Sequence, residues 1–206
     1  MKGRSSNSKQ ILLSVLGVAI LVVAVVGVSF AAFSYSQTGS YENKITTGVI
    51  SMTYSNPSNG INLTNALPMT DNTGKALTGT NNVFDFSVSA TITGTATINY
   101  AITATTTPAT TLTDNFVKVY LTDKGADNDE DTQVLAPTIV SSLSKTGSSE
   151  ASGAPSGQYI LRTGTFSATT TDNYRLRMWV ADTFTGTQAS ETYRLRVNVY
   201  GRAAAR

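Results

Sequence analysis

The sequence predicts an all-β protein: an antiparallel β-sandwich of jelly-roll type, preceded by an N-terminal hydrophobic signal or transmembrane helix. Three observations favour this fold class. Residues 11–33 form an uncharged, apolar stretch. The rest of the chain is rich in β-branched and aromatic residues, as is typical of half-buried pleated sheets, and about one residue in six of the whole sequence is threonine. No amphipathic helical period of any length follows residue 33.

The missing residue types exclude several classes of protein. The chain has no cysteine, so a small scaffold held by disulfides is excluded. It has no histidine, which removes the usual general base and the commonest metal ligand. No nucleophile-elbow, phosphate-loop or dinucleotide-binding motif is present. We therefore expect no enzymatic activity.

The apolar stretch at residues 11–33 predicts on which side of the membrane the rest of the chain lies. It follows three basic residues and is longer than the roughly 18 apolar residues that can cross a bilayer. One reading is a signal peptide ending in small residues, cut after Ala31 or after Ala32, next to Phe33. The other reading is a retained membrane anchor. We favour cleavage, and both readings place the rest of the chain at the cell surface or outside the cell.

The chain divides into three predicted segments. Residues 1–32 are the signal peptide or transmembrane anchor, residues 33–44 are an extended N-terminal arm, and residues 45–206 are the sandwich domain. The whole chain has 15 Lys and Arg against 13 Asp and Glu. Three of the basic residues precede the apolar stretch, so the exported part is close to neutral. The charge gives no basis for nucleic-acid binding.

Alternating apolar and polar residues between turn-forming residues predict the strands. The predicted strands cover residues 45–54, 61–63, 83–92, 97–104, 116–121, 159–165, 174–180 and 193–199. The strand at 97–104 is predicted to form a hairpin with the strand at 83–92. Residues 68–79 are predicted to be a loop, and residues 141–157 the longest mobile connection.

The last two strands predict a candidate cationic face. Both begin with Tyr-Arg-Leu-Arg, and in both the arginines fall on the parity opposite to the apolar residues. The candidate residues are Arg175, Arg177, Arg194 and Arg196. If the two strands pair, this face can meet a cell-wall or matrix polysaccharide, with Trp179 available for a cation–π contact. The alternative is a solvent face whose arginine stems cover the sheet.

An acidic loop at residues 123–131 resembles the start of a calcium loop. Asp127, Asp129 and Asp131 occupy alternate positions, but the glycine and the final glutamate of a complete loop are missing. The pattern predicts at most weak Ca²⁺ binding, and a solvated hairpin loop is the alternative. No other cofactor is predicted.

The arm after the cleavage site is the candidate assembly element. Phe33, Tyr35 and Gln37 share one parity of a strand-prone segment. Such a segment can add to an exposed sheet edge of another copy, and the head-to-tail contact then builds a fibre. The alternatives are that the arm pairs within its own chain or is a flexible spacer from the membrane.

Four successive pieces between residues 30 and 88 carry a family resemblance. They are Phe30-Ala31-Ala32-Phe33, then Ile45-Thr46-Thr47-Gly48-Val49-Ile50, then Ile61-Asn62-Leu63-Thr64-Asn65 followed by Pro68 and Asp71, and finally Phe84-Asp85-Phe86. In these pieces the chain resembles the TasA/camelysin family of exported, fibre-forming proteins of Gram-positive bacteria. The resemblance implies a jelly-roll-like sandwich, cleavage between Ala32 and Phe33 by a dedicated signal peptidase, and fibres built by donor strands.

Taken together, these observations predict an exported structural protein of the bacterial surface or biofilm matrix that polymerises with itself through its arm. The membrane is a partner through the N-terminal segment. The alternative is a membrane-anchored adhesion module that recognises a glycan or a host surface.

Overall fold

The structure is a computed structural model. It describes residues 18, 34–38, 45–47, 50–55, 62–64, 66–79, 83–108, 110–125, 132–185 and 191–204. Contacts between Cα atoms divide the chain into two units, Met1–Phe33 and Ser34–Arg206. The predicted leader, with the cleavage residues Ala32 and Phe33, lies outside the described residues apart from Val18. Within the described part of the chain, no helix has the length and apolar composition needed to cross a bilayer.

The described residues are mostly β-strand. The strands are β1 (Ser34–Thr38), β2 (Ile45–Thr47), β3 (Ile50–Ser55), β4 (Asn62–Thr64), β5 (Pro68–Met69), β6 (Val83–Ile92), β7 (Ile98–Thr106), β8 (Val117–Asp123), β9 (Thr132–Ile139), β10 (Tyr159–Phe166), β11 (Thr170–Ala181) and β12 (Thr192–Ala203). The helical elements are α1 (Asp71–Lys75) and the 3₁₀ turns η1 (Asp114–Phe116) and η2 (Val140–Ser142).

The strands form two sheets. The five-stranded sheet has the order β1-β12-β7-β10, and β4 also pairs with β12. The seven-stranded sheet has the order β2-β3-β6-β11-β8-β9, and β5 also pairs with β11. The β5–β11 pair is parallel, and the other strand pairs are antiparallel. The predicted all-β class is therefore confirmed.

The core lies where alternate residues of both sheets are buried. In β6, Phe84, Phe86 and Val88 are buried, with the partly exposed Asp85 and Ser87 between them. This period of two is the pattern expected for a strand with one face toward a core. Full burial of each such side chain stabilises the fold by about 1.5–3 kcal/mol before entropy costs.

The predicted hairpin between residues 83–92 and 97–104 is wrong. Strand β6 pairs with β3 and β11 in the seven-stranded sheet, whereas β7 pairs with β10 and β12 in the five-stranded sheet. The connection contains Gly94, whose φ is +79°, and it crosses from one sheet to the other. Both arrangements give the same local alternation, so the sequence pattern alone cannot distinguish them.

The predicted loop at residues 68–79 contains the short helix α1, which covers part of the outer face of the seven-stranded sheet. Gly74 lies against the indole of Trp179, and a Cβ at this position would come within 2.3 Å of that ring. Lys118 binds Asp71 of the helix with an Nζ–Oδ1 distance of 2.7 Å. The close approach of the helix therefore requires glycine at position 74.

The predicted mobile connection at residues 141–157 folds back on the outer face of the five-stranded sheet. The Thr146 hydroxyl donates to the Pro155 carbonyl at 2.6 Å and accepts from the Gln158 N–H at 2.9 Å. Ala154 is buried with Ala101 and Tyr200 of the sheet. This segment therefore forms a strap that buries part of the outer face.

Candidate functional site

The candidate assembly arm includes β1, which pairs with β12 of the same chain. Tyr35 is opposite Gly201, and Gln37 is opposite the fully buried Val199. Phe33 lies outside the described residues. In the order of the described strands, β1 is at one end of the five-stranded sheet. Own-chain pairing was one of the alternatives that the sequence left open.

The four candidate arginines lie in two different sheets. Arg175 and Arg177 are on β11 of the seven-stranded sheet, and Arg194 and Arg196 are on β12 of the five-stranded sheet. The two strands do not pair, so the condition for one continuous cationic face is not met. The Arg194 and Arg196 side chains are exposed.

Arg175 is engaged in an ion pair with Asp85. Its Nε and Nη2 atoms donate to the two carboxylate oxygens, both at 2.7 Å, and Lys124 Nζ lies 3.3 Å from the same carboxylate. Partial burial by itself raises the pKa of Asp85. The hydrogen bonds and charge of Arg175, together with Lys124, outweigh that effect and hold the pKa below its ordinary value.

Arg177 is buried and takes part in the packing of α1. Its Nε donates to the Leu77 carbonyl at 2.8 Å, its Nη1 donates to the Thr122 hydroxyl at 3.0 Å, and its guanidinium lies over the Tyr120 ring. Trp179 is fully buried beneath α1. The indole is therefore not exposed for the predicted cation–π contact with a ligand. At this end of β11, Arg177 and Trp179 contribute to packing.

A polar cluster joins the two sheets around Arg162. Its Nε donates to the Tyr100 hydroxyl at 2.8 Å, and that hydroxyl is 3.2 Å from the hydroxyl of Tyr174 on the opposite sheet. The Tyr174 hydroxyl donates to Asp172 at 3.0 Å. Burial, followed by the hydrogen bond with Tyr100, raises the pKa of Tyr174. Burial alone lowers the pKa of Arg162, but the neighbouring Tyr174 and Tyr100 outweigh this effect, so the pKa of Arg162 is raised above its ordinary value.

A β-bulge puts Arg162 in this position. The pairing of β10 with β7 shifts between Ile160 and Arg162, so that Arg162 is opposite the buried Ile102. Strict alternation from Tyr159 would have placed Arg162 on the outer face. No local signal in the sequence of this strand marks the bulge, so Arg162 was not among the predicted site residues.

An open groove of about 650 Å³ lies beside this cluster. The side chains of Arg162 and Asp123 are 30% and 28% exposed, and Arg162 Nη1 is 4.0 Å from Asp123 Oδ2. The other lining residues include Thr132, Gln133, Val134 and Thr163. The groove therefore contains a fixed cation, a fixed carboxylate and several neutral polar side chains.

A second polar centre, which was not predicted from the sequence, forms around the half-buried Asp114. Its carboxylate accepts hydrogen bonds from the hydroxyls of Tyr159 in β10 and Tyr193 in β12, the latter at 2.7 Å. Burial, and then the bond to this carboxylate, raises the pKa of Tyr159 to about 12 and also raises the pKa of Tyr193. The arrangement joins η1 to two strands of the five-stranded sheet.

The predicted calcium-loop residues Asp127, Asp129 and Asp131 lie outside the described residues. Asp123 at the start of that loop accepts from the Gly125 N–H at 2.9 Å. The described residues contain no group of three or more His, Cys, Asp or Glu side chains that could hold a metal ion.

No protein-family model, curated protein or solved structure matches the chain.

Proposed function

We propose that the chain is an exported structural protein of the bacterial cell surface or extracellular matrix, and that it assembles into fibres. In this proposal the leader is cut between Ala32 and Phe33, and β1 of one copy pairs with β12 of the next. The sandwich is of the jelly-roll type, and the chain is related to the TasA/camelysin family. Its partners are other copies of itself, and its role is structural and not enzymatic.

The observation that carries the proposal is the location of β1. The segment directly after the leader is a five-residue strand that pairs with Asn198–Arg202 at one end of the five-stranded sheet. Removing it would expose the N–H and C=O groups along that edge of β12, and an exposed edge is a template for another strand.

Strand exchange between copies is energetically inexpensive, because the incoming β1 repeats the backbone pairs that the own-chain β1 makes. The main new cost is the entropy of association, and a contact that does not close propagates as a fibre. Main-chain hydrogen bonds supply affinity, and side chains at alternate positions supply specificity.

Cysteine cross-linking tests the exchange, because the chain has no cysteine of its own. Position 34 is opposite position 202 in the β1–β12 register. Ser34→Cys and Arg202→Cys are made as separate variants, produced with their own leader, mixed, concentrated and oxidised. A disulfide between the two variants can form only between chains, and opposite positions of an antiparallel pair are close enough for it.

We expect 34–202 disulfides between chains, together with fibres in negative-stain images of the unmodified protein. Arg196→Cys is the matched control: it is an exposed arginine on β12 outside the part that pairs with β1. Equal cross-linking to positions 196 and 202, or a protein that stays monomeric at high concentration, would contradict the proposal.

The alternative proposal is a membrane-anchored adhesion module that keeps its leader and displays the sandwich to a glycan or host surface. The own-chain pairing of β1 favours it, because a monomer then has no vacant edge at this position. The intact mass of protein recovered from the native host distinguishes the two. A mass that includes the leader supports the anchored module, and a chain beginning at Phe33 supports the fibre protein.

A further inference from the structure

We infer that the groove beside Arg162 and Asp123 binds a neutral saccharide unit of an extracellular polysaccharide. This groove is distinct from the β1–β12 edge used for assembly. The inference rests on the proposed function in one respect, because export is what brings the domain into contact with such polymers.

The size and openness of the groove agree with this ligand class. Small-molecule sites typically have volumes of about 300–1,000 Å³, and this groove measures about 650 Å³. As the described residues line it, the groove is open to solvent, so a sugar unit can reach it. Its lining is mostly polar, with Val134 among the residues described.

The charges of the groove oppose a charged ligand. Arg162 and Asp123 both reach it, with 4.0 Å between Nη1 and Oδ2. An anionic ligand attracted by the guanidinium would meet the carboxylate, and a cationic ligand would meet the guanidinium. A neutral ligand avoids both repulsions.

The hydrogen-bonding groups match a polyol. Each sugar hydroxyl both donates and accepts, whereas a guanidinium only donates and a carboxylate only accepts. The distance between Nη1 and Oδ2 exceeds an ordinary hydrogen bond, so a ligand hydroxyl can bridge the two groups. Gln133, Thr132 and Thr163 offer further donors and acceptors.

The guanidinium is held in place before any ligand arrives. The Tyr100 hydroxyl accepts from Arg162 Nε at 2.8 Å, and the Tyr174 ring lies 5.4 Å from the guanidinium carbon. Positioned donors lose less entropy on binding than mobile ones. Since the described lining includes no aromatic platform, we expect weak binding to each unit, with a dissociation constant on the order of 1 mM.

Saturation-transfer NMR tests the inference with the full chain in a polyoxyethylene detergent, which carries no sugar. The probes are the methyl glycosides of glucose, galactose, mannose and N-acetylglucosamine, with galacturonate and glucosamine as charged comparators. The variants are Arg162→Gln and Gln133→Ala. Because Gln133 is exposed on β9, Gln133→Ala should leave folding intact, so a loss of binding in this variant reports on the groove itself. The control Arg196→Gln makes the same chemical change as Arg162→Gln, but outside the groove.

We expect saturable binding of at least one neutral glycoside, weakened roughly tenfold by each groove variant and unchanged by Arg196→Gln. The inference is overturned if no neutral glycoside binds, if binding survives both groove variants, or if only a charged comparator binds. The assay does not depend on strand exchange. Binding without 34–202 cross-links would refute only the fibre proposal, and cross-links without binding would refute only the saccharide site.

Discussion

At the scale of single residues, partly buried polar groups link strands together in a chain that has no cysteine. Asp114 accepts hydrogen bonds from Tyr159 and Tyr193. Arg162 donates to the Tyr100 hydroxyl in its own sheet, and that hydroxyl is hydrogen-bonded to Tyr174 of the other sheet. Hydrogen bonds to a charged group contribute about 1.5–3 kcal/mol each when their geometry is good. Removing one partner also leaves a desolvated group behind, so these centres are sensitive to substitution.

The tyrosines bound to Asp114 predict a loss of stability at alkaline pH. An unfolded tyrosine has a pKa of about 10, and in the folded chain the pKa of Tyr159 is raised to about 12. The folded state binds this proton more tightly, so the stabilisation is complete below about pH 10. It is lost as the pH rises from there through about 12.

We expect the free energy of unfolding in urea to fall between about pH 9.5 and 11.5. Tyr159→Phe removes one titrating phenol, and it should reduce this fall by about 1.5–2 kcal/mol while the contribution of Tyr193 remains. The comparison is made within each protein, between its own values at the two pH limits. Parallel pH profiles for the variant and the unmodified protein would show that Tyr159 does not contribute.

At the scale of elements, local patterns located the strands but not their partners. The predicted strand at 83–92 coincides with β6, and the segments that begin at Tyr174 and Tyr193 lie within β11 and β12. Alternation reports burial on one face, and it contains no information about which sheet a strand joins. For that reason the predicted hairpin was wrong. For the same reason the sequence pattern did not reveal that the arginines of β11 and β12 are in different sheets.

Other elements lacked a sequence signal strong enough to predict them. Strand β9 contains Pro137 and is only partly buried, so its alternation is weak. Helix α1 has five residues, too few for a helical period. The groove depends on the bulge before Arg162, which is defined by pairing with another strand. These features arise from tertiary contacts and could not be predicted locally.

The contact between α1 and β11 predicts the effect of one substitution. Gly74→Ala puts a methyl group where the Trp179 indole lies, so α1 must move away from the sheet. We expect a loss of about 1–3 kcal/mol in stability. Trp179 is the single tryptophan of the chain and is fully buried, so its emission should shift to longer wavelength and its quenching by acrylamide should increase.

Gly147→Ala is the control for this prediction. Its Cβ would meet Glu150 Oε1 at 3.6 Å, which is an ordinary van der Waals contact. Stability and fluorescence should therefore remain close to those of the unmodified protein. If Gly74→Ala behaves like the control, α1 does not cover Trp179 as described.

At the scale of the whole molecule, charge balance determines how copies approach each other. The 15 basic and 13 acidic residues include three basic residues before the apolar stretch. The part of the chain after the apolar stretch therefore has little net charge, and copies of it repel one another only weakly. Under the proposed function, association is determined mainly by backbone pairing and apolar contact.

We therefore expect fibre assembly to depend weakly on salt. The Debye length shortens from about 30 Å at 0.01 M to about 3 Å at 1 M ionic strength. The critical concentration for assembly, measured by sedimentation across this range, should change by less than about threefold. A much steeper dependence would indicate that charge repulsion or charge pairing controls assembly.

The arrangement of β4 and β1 along β12 has a consequence for the geometry of polymerisation. Both strands pair with β12, β4 with Thr192–Arg194 and β1 with Asn198–Arg202, and both run antiparallel to it. An incoming β1 would pair with the same five residues, or about 17 Å of β12. Its C-terminal end would point toward the start of β4, with residues 195–197 of β12 between the two paired stretches, so β4 would stop sliding in that direction beyond about three residues. Under the proposed function, β4 would therefore narrow the range of registers in which successive subunits pair, and a narrow range of registers favours a periodic fibre.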